Sequence, residues 1–103
     1  MQIDEKVLLG ADIQHLITFL VVHREGSVSR AAACLGVKQP AVSNILAKLR
    51  ERFDDELFSR KDRWRPTQKA EHLAQMLTPG FACLQQVIVA LSGQRGNLDS
   101  PLP

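Results

Sequence analysis

The stretch Ser27–Phe53, SVSRAAACLGVKQPAVSNILAKLRERF, constrains the fold more than any other part of the chain. It reads as two helices joined by a tight turn. Ser29 is suited to cap the first helix, because its hydroxyl can accept an orphan N–H of the first turn. Gly36 ends that helix where a left-handed backbone is cheap. Val37 is expected to be buried in the turn. Pro40 stands near the first position of the second helix, where its missing N–H costs nothing. Val42, Leu46, Leu49 and Phe53 recur at spacings of four, three and four, so they share one face. Ala31, Ala32 and Ala33 are small enough to let the second helix cross close to the first. The combination is a helix-turn-helix.

The opposite face of the second helix carries the chemistry. Gln39, Ser43, Asn44, Ala47 and Lys48 lie away from the apolar stripe. Amides can read adenine edges, hydroxyls and lysine can meet phosphates, and small apolar groups can touch thymine methyls. The plain alternative is a solvated helix face without a ligand. The turn, the alanine run and the flanking segments favour the nucleic-acid reading.

Those flanks are basic. Net charge is only +2, but five of the ten residues from Arg60 to Lys69 are Lys or Arg, against one acid, Asp62. Such a cluster beside a helix-turn-helix is an electrostatic footprint for phosphate; an ordinary solvated loop is the alternative. Leu57 to Arg60 alternates apolar and polar and reads as a short strand. Lys61-Asp62-Arg63 reads as a turn, and Trp64 to Thr67 as the returning strand. Two strands after the second helix make a wing, with Arg63 near its tip, Arg65 next, and Arg60 at its base. An arginine there can enter or flank the minor groove. Trp64 can pack the wing onto the body or lie on a DNA backbone. Asp54-Asp55-Glu56 reads as a solvated acidic turn.

At 103 residues and 45% apolar, the chain suits one small domain without a second, ligand-binding one. Residues 1–10 are expected to form a loose arm. Asp12 can cap a helix to about Arg24 whose broad apolar stripe, with Phe19 in the core, is buried; Gly26 ends it. Residues 11–67 then form the DNA-binding domain. From Thr67, a cap, a long helix over 68–92 carries Ala70, Leu73, Leu77, Phe81, Leu84, Ile88 and Leu91 in an a/d-like seam. Thr78-Pro79-Gly80 is expected to kink or break it near 79–80. No core remains in so small a domain to cover Leu77, Phe81, Leu84, Ile88 and Leu91, so a homodimer through this helix is expected; folding back on its own domain is the alternative. Residues 93–103 read as a tail or inter-domain linker.

Other classes find little footing. Cys34 and Cys83 lack metal-site spacing, and one pair is no disulfide framework. The three histidines are scattered, so no metal is expected. There is no glycine-rich phosphate loop, no paired carboxylate and no nucleophile with a partner base, so neither an enzyme nor a cofactor is expected. Cys34 reads as a packed thiol. The apolar run Leu16–Val22 is too short to span a bilayer, and Met1–Gly10 lacks a signal-peptide layout. A cytoplasmic, nucleoid-associated protein without a membrane partner is expected.

The ordered set Leu16, Phe19, Gly26-Ser27, Ala31-Ala32, Leu35, Gln39-Pro40-Ala41-Val42-Ser43, Leu46, Leu49, Leu57-Phe58, Arg60 and Pro66-Thr67 resembles the N-terminal DNA-binding domain of LysR-type transcriptional regulators, from about Leu16 to Leu91. The QPAVSN and DDELF pieces look closest to a branch with nodulation and leucine-responsive-type regulators. The resemblance implies a mainly α fold, a winged helix-turn-helix of three helices and a two-stranded wing followed by a long dimerising linker helix. It implies a bacterial regulator that binds inverted-repeat, double-stranded DNA as a dimer. By matching position, Gln39, Pro40, Ser43 and Asn44 would face the major groove, Ser29 and Arg30 would contact phosphate, and Arg63 would be the wing residue. Lys38, where the family usually has serine, adds a phosphate contact beside Lys48. Asn44 stands where many members have arginine and favours adenine. Ile45, in place of a usual polar residue, is expected to be exposed and to meet a thymine methyl. Arg50 replaces a common glutamate. The wing is one residue shorter than usual and lacks its glycines. A small-molecule inducer is expected only if a further C-terminal effector domain exists. A short interaction module that heterodimerises with full-length regulators is the alternative function.

Overall fold

The computed structural model describes residues 2–92, so the expected tail at 93–103 lies outside the described residues. Five helices and a two-stranded wing follow in the order α1 (Glu5–Leu9), α2 (Ile13–Glu25), α3 (Val28–Leu35), α4 (Gln39–Phe53), β1 (Phe58–Ser59), a 3-10 turn (Arg60–Asp62), β2 (Arg65–Pro66) and α5 (Gln68–Ser92). Where a loose arm was expected, Asp4 caps the single turn of α1 through Lys6 N and Val7 N, though no residue of α1 is buried.

Helices α2, α3 and α4 pack around a core of Phe19, Val22, Ala31, Ala32, Val42, Leu46 and Leu49. Ala31 and Ala32 are the close-approach residues; Ala33, the third of the run, points outward. Thr18, buried within α2, satisfies its hydroxyl on Gln14 O at 2.9 Å. The α3–α4 turn closes on Gly36, at φ 69°, whose N–H caps α3. The cap at the other end of α3 is Ser27, whose Oγ accepts from Arg30 N at 3.2 Å, and Ser29 lies inside the helix. Both serines could have capped; extended backbone at Ser27, φ −162°, decides it. Val37, expected to be buried, is 45% exposed. Ile45, expected to be exposed, turns its side chain partly into the core. Asp12 begins α2 at φ 55° but makes no side-chain cap bond; its carboxylate faces His15 Nδ1 at 3.5 Å.

The wing hangs on a polar knot. Asp55 Oδ2 accepts from Leu57 N at 2.8 Å and from Thr67 Oγ1 at 2.6 Å. Thr67 Oγ1 in turn accepts from Ala70 N and caps α5, as expected. These bonds hold the Asp55 carboxyl below the usual carboxylate range, Thr67 contributing most. Lys69 donates to Phe53 O at 2.6 Å and closes the C-terminus of α4, so it leaves the basic cluster. The acidic turn is therefore a structural junction. Leu57 is fully buried at φ 66°, and β1 pairs antiparallel with β2 over Phe58↔Pro66 and Ser59↔Arg65. The expected four-residue strands are two residues each, because left-handed Leu57, Arg63 and Trp64 end them. Phe58 anchors the wing on Phe19 with ring centroids 5.6 Å apart.

Helix α5 runs unbroken through Pro79, against the expected break. Proline removes one donor, but the carbonyl it would have served belongs to exposed Gln75, where water can replace it. Thr78 Oγ1 also bonds back to Ala74 O at 2.6 Å. The first half of α5 packs on the domain: Ala70 and Ala74 are buried, Leu73 and Leu77 partly so. Leu77 therefore belongs to the domain's own core and leaves the exposed seam. His23 Nε2 meets Glu71 Oε1 at 2.6 Å and pins α5 to α2. The second half projects outward with Leu84, Val87, Ile88 and Leu91 each about half exposed. The molecule spans 51 × 33 × 21 Å. By length and composition α5 could also cross a membrane, with a mean hydropathy of 1.3 over its most apolar window.

Candidate nucleic-acid interface

The N-terminal half of α4 stands clear of the body. Val42, Leu46 and Leu49 face the core, and the 100° helical step therefore turns Gln39, Pro40, Ser43, Asn44 and Ala47 outward. Lys38, in extended backbone at the helix start, offers no side-chain cap, and Lys48 continues the exposed face. The N–H groups that the first turn of α4 leaves without helical partners, Pro40 supplying none, add partial positive charge at this end. Ser29 and Arg30, in the first turn of α3, are exposed beside it. A shallow depression lined by Ser29, Ala33, Val37, Gln39, Pro40 and Ser43 joins the two helix starts. Among the described residues, the side chains of Arg30, Lys38, Gln39, Ser43, Asn44 and Lys48 make no hydrogen bond or ion pair within the chain. Their donors and acceptors are left to water or a ligand.

Ala33 and Val37 were not singled out from the sequence as part of this surface. Each had a structural reading ready, close helix crossing for one and turn burial for the other. The helical step beyond Ala32 was the available signal for Ala33. Both add apolar contact area suited to a thymine methyl.

The wing cations fare unequally. Arg60, Lys61, Arg63 and Arg65 are all exposed. Arg65 Nε lies 3.2 Å from Asp62 Oδ2, an exposed pair of small energetic weight. Arg63, left-handed at φ 53°, carries no partner among the described residues. Trp64 packs rather than projecting freely: its ring meets Phe58 edge-on at 5.6 Å. Cys34 and Cys83 are both exposed, so Cys34 is not the packed thiol expected. No group of three or more His, Cys, Asp or Glu residues is arranged to hold a metal ion among the described residues.

Residues 13–71 match the family described as bacterial regulatory helix-turn-helix protein, lysR family. The chain belongs to the LysR family. This LysR-family domain is 41% identical over 73 residues to the HTH-type transcriptional regulator LeuO of Escherichia coli, covering 70% of the chain and 23% of LeuO. It is 34% identical over 89 residues to SyrM 2 of Sinorhizobium fredii, covering 85% of the chain and 26% of SyrM 2. Nodulation protein D 1 of Rhizobium meliloti is 34% identical over 82 residues, covering 79% of the chain and 27% of that protein. The chain thus spans about a quarter of the length of these curated relatives. Among solved structures, the probable transcriptional regulator PA0477 from Pseudomonas aeruginosa superposes with a TM-score of 0.73 at 35% identity, over 80% of this chain and 28% of that one. The BenM DNA-binding domain, crystallised with catB site 1 DNA, superposes with a TM-score of 0.69 at 24% identity, over 84% of this chain and 92% of that one. The LysR-family fold is the winged helix-turn-helix followed by a long helix, as the residue pattern implied.

Proposed function

We propose that this chain is the sequence-specific DNA-binding domain of a LysR-type transcription regulator and that it works as a dimer on an inverted repeat. Helix α4 enters the major groove with Gln39, Pro40, Ser43, Asn44 and Ala47 against base edges. Ser29, Arg30, Lys38 and Lys48 neutralise flanking phosphates, and Arg60, Arg63 and Arg65 follow the minor groove from the wing. The observation that carries this reading is the bare polar face at the start of α4, ringed by cations without partners among the described residues. The related regulators and the BenM–DNA crystal support the same use. Such a protein works in the cytoplasm, on the nucleoid. An inducer would act through a further C-terminal domain.

The dimer rests on the outer half of α5. Phe81, Leu84, Ile88 and Leu91 form one stripe, continuous with a groove against Ile17, Leu20 and Val21 of α2. A second copy of α5 would cover this apolar face. Two-fold symmetry then sets two half-sites apart by whole helical turns of about 10 base pairs each. The same face would serve the alternative, heterodimerisation with full-length regulators.

Selection of bound duplexes from a random pool, with solution mass recorded alongside, tests both. A dyad-symmetric, A·T-leaning consensus bound by a dimer is the expected result, Asn44 favouring adenine. Absence of any salt-dependent duplex preference would refute DNA recognition. A dimer that enriches no sequence would favour the interaction module.

A further inference from the structure

Very little backbone holds the wing in place. Its strands pair over two residue pairs only, and the returning link carries consecutive left-handed residues, Arg63 at φ 53° and Trp64 at φ 62°. Side-chain-bearing L-residues hold that conformation only where their surroundings over-determine it. One of those surroundings is Arg50, near the C-terminal end of α4. Its Nε donates to Glu56 O at 2.9 Å, and its guanidinium carbon lies 5.9 Å from the Trp64 ring centroid. Trp64 continues onto Phe58 and Phe58 onto Phe19, each at 5.6 Å. Partial burial, and then the like charge of Arg60, lower the Arg50 pKa from its ordinary value, while Glu56 opposes them. Arg50 is thereby spent inside the fold, between the recognition helix, the junction loop and the wing.

We infer that Arg50 is a positioning residue for the wing: its guanidinium, tied to the Glu56 carbonyl and set over Trp64, fixes where Lys61 and Arg63 stand relative to the reading face of α4. It governs the wing's share of DNA affinity without touching DNA. This rests on the DNA-binding reading above. The role needs a planar fork that can bond and stack at once, which a lysine ammonium does not supply.

The experiment uses Arg50→Lys and Arg50→Met, each alone and combined with Lys61→Ala/Arg63→Ala. Two quantities are read: binding to the selected duplex across a salt series, and acrylamide quenching of Trp64, the only tryptophan, in the free protein. Both Arg50 variants are expected to raise quenching. Both should weaken binding about five- to tenfold and lower the salt slope by about one, the scale of a lost phosphate contact. In the background without Lys61 and Arg63, where only Arg60 and Arg65 remain on the wing, the loss on replacing Arg50 should shrink to less than about twofold. A purely structural role would lower thermal stability without this dependence on the wing. Arg50→Lys, which keeps the charge, secures the test if Arg50→Met fails to fold. Wild-type binding by Arg50→Lys would overturn the inference, because charge alone would then suffice. Losses that multiply with those of the wing variants would overturn it too, by making Arg50 an independent phosphate contact. If wild-type protein itself shows no salt-dependent binding, the DNA reading fails, whereas normal wild-type binding with either result above sinks the Arg50 role alone.

Discussion

Replacing Asp55 with alanine removes the acceptor that joins the wing to α5. Two donors lose their partner, Leu57 N at 2.8 Å and Thr67 Oγ1 at 2.6 Å, and Thr67 is then free to rotate away from its cap on Ala70 N. A hydrogen bond to a charged group contributes about 1.5–3 kcal/mol, and partial exposure of Asp55 places these two at or below the lower end. The expected loss is therefore about 2–3 kcal/mol, a large share of the roughly 5–10 kcal/mol that holds a domain of this size. It lowers the melting temperature by about 8–24 °C, at about 4–8 °C per kcal/mol. Asp55→Asn keeps a neutral acceptor and should lose about half as much. The effect depends on pH in one direction. The folded-state pKa of Asp55 is depressed, so its stabilisation is complete above the unfolded carboxylate value of about 3.9 and disappears as pH falls through the lower folded value. Urea unfolding by circular dichroism at pH 7, 5, 4 and 3 gives the gap between wild type and Asp55→Asn. That gap should be constant down to about pH 5 and narrow below about pH 4. A gap that stays constant into strong acid would refute the role of the carboxylate charge. An Asp55→Ala variant within about 0.5 kcal/mol of wild type at pH 7 would refute the junction itself.

Asn44→Ala should cost about 1–3 kcal/mol on the selected duplex and relax base preference at one position, while leaving binding to random DNA unchanged. Equal losses on every sequence in a fluorescence titration would remove Asn44 from the base readers. Ile88→Glu, at a site 54% exposed in the single chain, should convert a dimeric solution mass to a monomeric one and leave the domain's melting curve in place. An unchanged dimer would move the interface off this stripe. Gly36→Ala meets no atom within 4 Å, so its cost is the left-handed backbone at φ 69° alone, about 1–2 kcal/mol. Chemical denaturation that finds no loss would show the turn re-forming with another geometry.

The helices and most of their ends were legible because their signals are local. Val42, Leu46 and Leu49 declare a buried face by spacing, while Gly26 and Gly36 at φ 69° and Thr67 over Ala70 N declare ends by chemistry that acts within a few residues. The exposed set Gln39, Pro40, Ser43, Asn44 and Ala47 follows from that periodicity, since whatever is not on the core face must face outward. Positions at the edge of the stripe were not legible. Ile45, at the edge of the α4 stripe, packs partly on the core, and Val37, in the turn, stays exposed, because the packing of neighbouring elements decides which edge positions are covered.

Sequence by itself determined the helix-turn-helix, the outward polar face of α4 and the cap that starts α5, because each rests on contacts between residues close along the chain. The wing's presence was legible too, but only the tertiary structure decided its length and backbone. Its two-residue strands have too little ladder to specify themselves, so Phe58 on Phe19, Arg50 over Trp64 and the Asp55–Thr67 bond impose left-handed backbone at Leu57, Arg63 and Trp64. It also divided α5. Ala70, Ala74, Leu73 and Leu77 find the core of α2–α4 within reach, whereas Leu84, Ile88 and Leu91 stay about half exposed among the described residues, Leu84 and Ile88 only lining a groove beside α2. The seam's period is the same along both halves, and only the length of the body beneath it separates the buried half from the exposed one.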